Sequence, residues 1–128
     1  MIQLCTDGGL IGKNPSRTGG TWAWRLVRDG VPCVDDSGYL WAENGELVTN
    51  NQTELLAVLH GLEYTADNGI HLGQVITDSR VTIQRLTRIA NGRKVGKIDF
   101  PILNRLRIAL ARIGEVRYLL VKGHPTRL

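Results

Sequence analysis

The sequence predicts an α/β domain with a five-stranded mixed sheet, three strands antiparallel and two parallel, flanked by helices. Three observations predict it. Strand-like runs at Ile2–Thr6, Gly20–Val27 and Val31–Tyr39 come first, separated by turns rich in Gly, Asn, Asp and Pro, as in a meander. A helical stripe follows, Leu55, Val58, Leu59 and Leu62 at spacings i, i+3, i+4 and i+7. The chain then alternates strand, helices and strand, and the right-handed crossover rule sets the fourth strand parallel to the first.

Each element has its own local warrant. Gly8 to Gly20 reads as a turn, after which Trp22, Trp24 and Leu26 alternate with Ala23, Arg25 and Val27 in a half-buried strand. Asp29-Gly30 is a hairpin signal, and Pro32 is expected to interrupt the third strand. The first helix is expected over Thr53–Asp67, then a short strand at Val75–Thr77, helices over Arg80–Ala90 and Phe100–Ile113, and a last strand at Val116–Val121. At 128 residues the chain supports one core, so residues 1–128 are read as a single domain. With 42% apolar and 22% charged residues it has the composition of an ordinary globule, and its apolar runs are too short to span a bilayer. Cys5 and Cys33 are expected to be reduced, which fits a cytoplasmic setting. The net charge of +4 attracts polyanions without naming one.

Three carboxylates carry the chemistry. Asp7 and Asp78 are expected at the ends of strands, and Glu54 near the start of the first helix. If the first and fourth strands are neighbours, the two aspartates face one another at one sheet edge. Carboxylates so placed repel unless a cation lies between them, and an all-oxygen donor set suits Mg²⁺ or Mn²⁺. Each acid also has a purely structural reading: Asp7 as a turn former, Glu54 as the partner of an Asn51 N-cap, Asp78 as the N-cap of the second helix. His60 and His71 have no partner at a metal-ligand spacing and read as surface residues. Trp22 and Trp24 read as packing residues, not as base-stacking platforms.

The local signatures around these acids resemble the ribonuclease H family. They are Thr6-Asp7-Gly8-Gly9, Asn14-Pro15, Gly19-Gly20, Thr49-Asn50-Asn51-Gln52-Thr53-Glu54-Leu55, Thr77-Asp78-Ser79 and Val121-Lys122-Gly123-His124. The resemblance implies the ribonuclease H-like fold and a metal-dependent endonuclease that hydrolyses the RNA strand of RNA–DNA hybrids by a two-metal mechanism. It implies Asp7, Glu54 and Asp78 as catalytic metal ligands and His124 as a catalytic residue on a loop that aids proton movement and product release. Gly8, Gly9, Asn14, Asn50, Asn51 and Ser79 would lie along the nucleic acid, and Thr49 would help bind a DNA phosphate. Arg85, Arg88, Arg93, Lys94 and Lys97 would supply basic contacts to the backbone. The implied partner is the hybrid and the implied cofactor is Mg²⁺ or Mn²⁺, two ions in a complete site; a monomer with no membrane partner and no small-molecule cofactor is expected.

The sequence departs from the family pattern at three places. A helix bearing a fourth carboxylate is implied after His124 and nothing follows Leu128, so the domain is expected to be C-terminally truncated. Leu47 replaces the basic residue two positions before Thr49, and Lys97 an Asn of the same phosphate pocket. The rival reading is therefore a catalytically weakened or inactive module of the same fold that binds nucleic acid.

Overall fold

In the computed structural model, which describes residues 1–123, the strands are β1 (Ile2–Ile11), β2 (Gly19–Arg28), β3 (Val31–Trp41), β4 (Gln74–Thr77) and β5 (Arg117–Leu120). The helices are α1 (Asn50–Asp67), α2 (Arg80–Ala90) and α3 (Phe100–Ile113). The sheet runs β3-β2-β1-β4-β5; β1, β2 and β3 pair antiparallel, and β4 and β5 continue parallel to β1. This is the predicted mixed sheet. Asp29 and Gly30 take positive φ (49° and 82°), the backbone a two-residue hairpin needs to match strand twist. The irregularity expected at Pro32 is a bulge: the register jumps from Leu26↔Val34 to Val27↔Pro32 and leaves Cys33 unpaired in the ladder.

Alternation along β1 and β2 sends Leu4, Trp24 and Leu26 to one face, where they meet Leu55, Val58, Leu59 and Leu62 of α1 in the main core. Leu86 of α2 and Leu106 of α3 close that core, both fully buried. Burying each such side chain contributes about 1.5–3 kcal/mol before entropy is counted. Two glycines set how closely α1 rides on β1. A Cβ at Gly61 would come 2.6 Å from the Leu4 side chain, and one at Gly8 would come 2.6 Å from the Glu54 backbone nitrogen. On the other face a smaller cluster joins Cys5, Val27 and Ile76, with Val121 against it. Cys5 and Cys33 are both free thiols; burial pushes Cys5 up to about 11. Among the described residues, no helix is long and apolar enough to cross a membrane.

Several boundaries differ from expectation. β1 does not stop at Thr6 but pairs with β2 as far as Ile11, so the connecting turn shrinks to residues 12–18 and Asp7 lies inside a strand. The glycines at 8 and 9 do not break it, because the β2 ladder supplies every backbone partner. α1 begins at Asn50, not Thr53. Its N-cap is Thr49, whose hydroxyl accepts from the Gln52 N–H while the Gln52 side chain accepts from the Thr49 N–H, a complete capping box.

Candidate active site

Parallel pairing of β1 with β4 matches Gln3 to Gln74, Leu4 to Val75 and Cys5 to Ile76. Carried two residues further, the same register sets Asp7 against Asp78, where β4 has ended and the chain turns into α2. Glu54 reaches them from the second turn of α1, held against β1 by the close approach at Gly8. One carboxylate oxygen of each residue lies within 4.8 Å of the other two. Two oxygens on opposite sides of a Mg²⁺ ion stand roughly 4.2 Å apart, so the three are within reach of one shared cation.

The electrostatics of the cluster centre on Glu54. It is only 2% exposed, and its Oε2 has no hydrogen-bond partner. Burial, then the charges of Asp78 and Asp7, push its carboxyl up to about 8, against the opposing effect of a backbone hydrogen bond from Gly8. A buried carboxyl oxygen without a donor, facing two further carboxylates, fits a bound divalent cation: the ion would take the lone pairs that no protein donor takes.

The structural alternatives for the acids fail on geometry. With Thr49 and Gln52 forming the cap of α1, Asn51 is not the N-cap and Glu54 is not its partner. Asp78 does not cap α2; Ser79 does, its hydroxyl accepting from the Thr82 N–H at 3.2 Å and from the Thr82 hydroxyl at 2.8 Å. Asp7 is no turn former, since it pairs with Ala23 in mid-strand.

The remaining site residues fall into groups. Asn14, Thr49 and Asn50 come together, with the Asn50 N–H donating to Asn14 Oδ1 at 3.3 Å. Asn51 is exposed beside them on the first turn of α1. Gly8 turns toward α1 and serves its packing, whereas a Cβ on Gly9 would meet nothing closer than Thr21 Oγ1 at 3.1 Å. Arg85 and Lys97 line one cleft of about 710 Å³ with Leu47 and Gln52. Arg88, on the last turn of α2, and Arg93 and Lys94, in the segment after it, are solvent-exposed and stand outside that cleft. His124 lies outside the described residues.

Two features escaped the sequence reading. Ser16, buried at 1% exposure, bridges to Val48 through paired backbone hydrogen bonds of 2.7 and 2.8 Å. Its hydroxyl accepts from the N–H groups of Thr18 and Gly19. It thereby pins the β1–β2 turn to the start of α1; the available signal was a serine among Gly, Asn and Pro, a common turn-stabilising arrangement. His60, expected at the surface, is half-buried and stacks on Trp22 with ring centroids 4.0 Å apart. Burial and the Arg105 charge lower its pKa.

Three carboxylates that converge at the β1–β4 junction of a mixed sheet make a donor set compatible with a divalent metal ion. The ribonuclease H family model matches residues 1–127. A ribonuclease H of Anaeromyxobacter sp. (strain K) is 40% identical over an alignment that takes in 93% of this chain and 68% of that protein. One from Anaeromyxobacter dehalogenans (strain 2CP-C) is 38% identical with the same coverage. Among solved structures, the N-terminal ribonuclease H domain of a Mycobacterium tuberculosis protein superposes with a TM-score of 0.75 at 17% identity, covering 98% of this chain and 86% of that one. The ribonuclease H1 of Halobacterium salinarum gives 0.66 at 24% identity, covering 94% and 84%. A third neighbour, LC11-RNase H1 solved in complex with an RNA/DNA hybrid, gives 0.71 at 19% identity, covering 94% and 85%. This chain belongs to the ribonuclease H family.

Proposed function

We propose that this protein is a metal-dependent endonuclease that hydrolyses the RNA strand of RNA–DNA hybrids, with Asp7, Glu54 and Asp78 as the ligands of Mg²⁺ or Mn²⁺. The observation that carries the reading is the acidic cluster itself: three carboxylates within 4.8 Å, one of them buried with an unsatisfied oxygen. Membership of the family and the hybrid seen with one structural neighbour support the substrate.

Divalent ions bound there, two in a complete site, would supply a water of lowered pKa and charge neutralisation at the phosphate. The protein's share is positional. Asp7, on a strand paired along its whole length, and Asp78, just beyond β4, hold fixed places at the sheet edge. Glu54 is buried against β1 and cannot swing into solvent. Asn14, Thr49 and Asn50 form a polar ledge that suits the 2′-hydroxyls and phosphates of a minor groove. Arg85 and Lys97 offer two cations to a strand backbone in the neighbouring cleft. Arg88, Arg93 and Lys94 would extend that attraction from the surface, and His124 would assist proton movement.

The test is incubation with an end-labelled hybrid, double-stranded DNA and double-stranded RNA, each in Mg²⁺, in Mn²⁺ and in chelator. Cleavage confined to the RNA strand of the hybrid, and lost in chelator, is the expected result. Binding of the hybrid with no cleavage in either metal would instead establish a non-cutting nucleic-acid-binding module, and equal cutting of double-stranded DNA would remove the substrate assignment.

A further inference from the structure

We infer that the sheet face opposite α1 carries a platform for an unpaired stretch of nucleic acid, with Tyr39 and Trp41 stacking on its bases; the inference rests on the acidic cluster acting on nucleic acid. Two large aromatic side chains on the outer strand remain 62% and 54% exposed. They are already ordered against each other, ring centroids 4.9 Å apart and planes 7° from parallel. Cross-strand packing does not account for them: their partners in β2 are Thr21 and Gly19, a small polar residue and one with no side chain.

Small residues, Gly9, Gly19 and Thr21, lie between this pair and the acidic cluster. Alternation places Asp7, Gly9 and Ile11 on the same face of β1. Register then aligns Gly9 with Thr21 and Tyr39 in one cross-strand row, and Ile11 with Gly19 and Trp41 in the next. A chain lying across these rows would run from the aromatic pair to Asp7 over about 13 Å along the strand direction, four residues at ~3.3 Å each. The turn beside the aromatic end is basic. The turn of residues 12–18 holds exposed Lys13 and Arg17, and its Thr18 carbonyl accepts from the Ala42 N–H immediately after Trp41. Of the nearby acids, Asp35 is paired with Arg25 and Asp36 lies opposite Trp24 further along the strand. Glu43 and Glu46, exposed after Trp41, line the cleft that holds Arg85 and Lys97. Exposed aromatic faces beside a basic loop suit base stacking, which tolerates any sequence because every base has a π-face.

The test separates this platform from the hydrolytic reading by omitting metal. Binding of a labelled oligothymidylate single strand is followed in chelator by anisotropy and tryptophan quenching. Trp41→Ala and Tyr39→Ala are each expected to weaken binding roughly 5- to 100-fold, and Trp41→Phe to retain most of it. Melting temperature, measured alongside, is expected to move little because both side chains are exposed. In Mg²⁺, Trp41→Ala should lose any advantage that a single-stranded tail confers on hybrid cleavage. Unchanged single-strand affinity in Trp41→Ala overturns the platform. So does concentration-dependent self-association that Trp41→Ala abolishes, which would make the face a contact between two copies of this chain. A parental protein that binds the single strand yet cuts no hybrid leaves the platform standing and removes the hydrolytic reading.

Discussion

Glu54 concentrates the electrostatic cost of the site: it is buried, faces Asp7 and Asp78, and has its carboxyl pushed up to about 8 from an ordinary 4.5. A carboxyl whose folded pKa is raised binds its proton more tightly in the folded chain than in the unfolded one. Metal-free stability should therefore fall as pH rises from about 4.5 through 8, the opposite of a salt-bridged carboxylate. Thermal melts in chelator across that range should show the decline, Glu54→Gln should flatten it, and Mg²⁺ or Mn²⁺ should restore stability at pH 8 in the parent alone. Asp7→Asn makes a sharper distinction. Removing one of the charges that repel Glu54 should leave the fold intact and the metal-free melting temperature equal or higher. Hybrid cleavage should drop by ~10³-fold or more, a barrier increase of roughly 4 kcal/mol. An active Asp7→Asn protein would place the chemistry elsewhere.

The start of α1 is the element on which the site depends. Its capping box of Thr49 and Gln52 fixes where the helix begins, and so which turn carries Glu54. Thr49→Ala should cost about 1 kcal/mol of stability, read by denaturant titration, with Gln52 left to cap alone. Gly8 is the tighter constraint. An added Cβ would stand 2.6 Å from both the Glu54 nitrogen and Thr53 Oγ1. The first of these is backbone and can retreat only if the start of α1 lifts away from β1. Gly8→Ala should therefore lower stability by about 1–3 kcal/mol and cleavage by more than its stability loss alone would produce. The paired readout is melting temperature beside rate at a temperature where the variant remains folded.

At the scale of the whole molecule the charge is distributed unevenly. A net +4 coexists with three carboxylates in one cluster, so the attraction for a polyanion must come from cations placed elsewhere. Arg85 and Lys97 share a cleft with the Leu47–Gln52 region, whereas Arg88, Arg93 and Lys94 stand exposed outside it. Arg85→Ala and Lys97→Ala should each flatten the salt dependence of hybrid affinity by about one unit of log K against log salt, with smaller effects from the three outer cations. Affinity measured in chelator at several salt concentrations isolates this term from cleavage. An unchanged slope in both variants would show that the cleft is not on the nucleic-acid path.

Much was legible from residues alone because the signals were local. Strand alternation over Trp22–Val27, the hairpin at Asp29-Gly30 and the stripe from Leu55 to Leu62 depend on spacing along the chain, and they led to the correct sheet class. The three acids were legible through their flanking signatures. Local spacing could not say where β1 ended, since Gly8 and Gly9 look like a break until the β2 ladder supplies partners out to Ile11. Nor could it place the caps, which are Thr49 and not Asn51 for α1 and Ser79 and not Asp78 for α2, because polar residues near a helix start compete for the same N–H groups. What only the tertiary structure decided are the contacts between distant residues: Ser16 on Val48, His60 on Trp22, Gly8 under Glu54. The burial that raises Glu54 belongs with them. A pKa depends on the surroundings in space, and those are set only when β1, β4 and α1 meet.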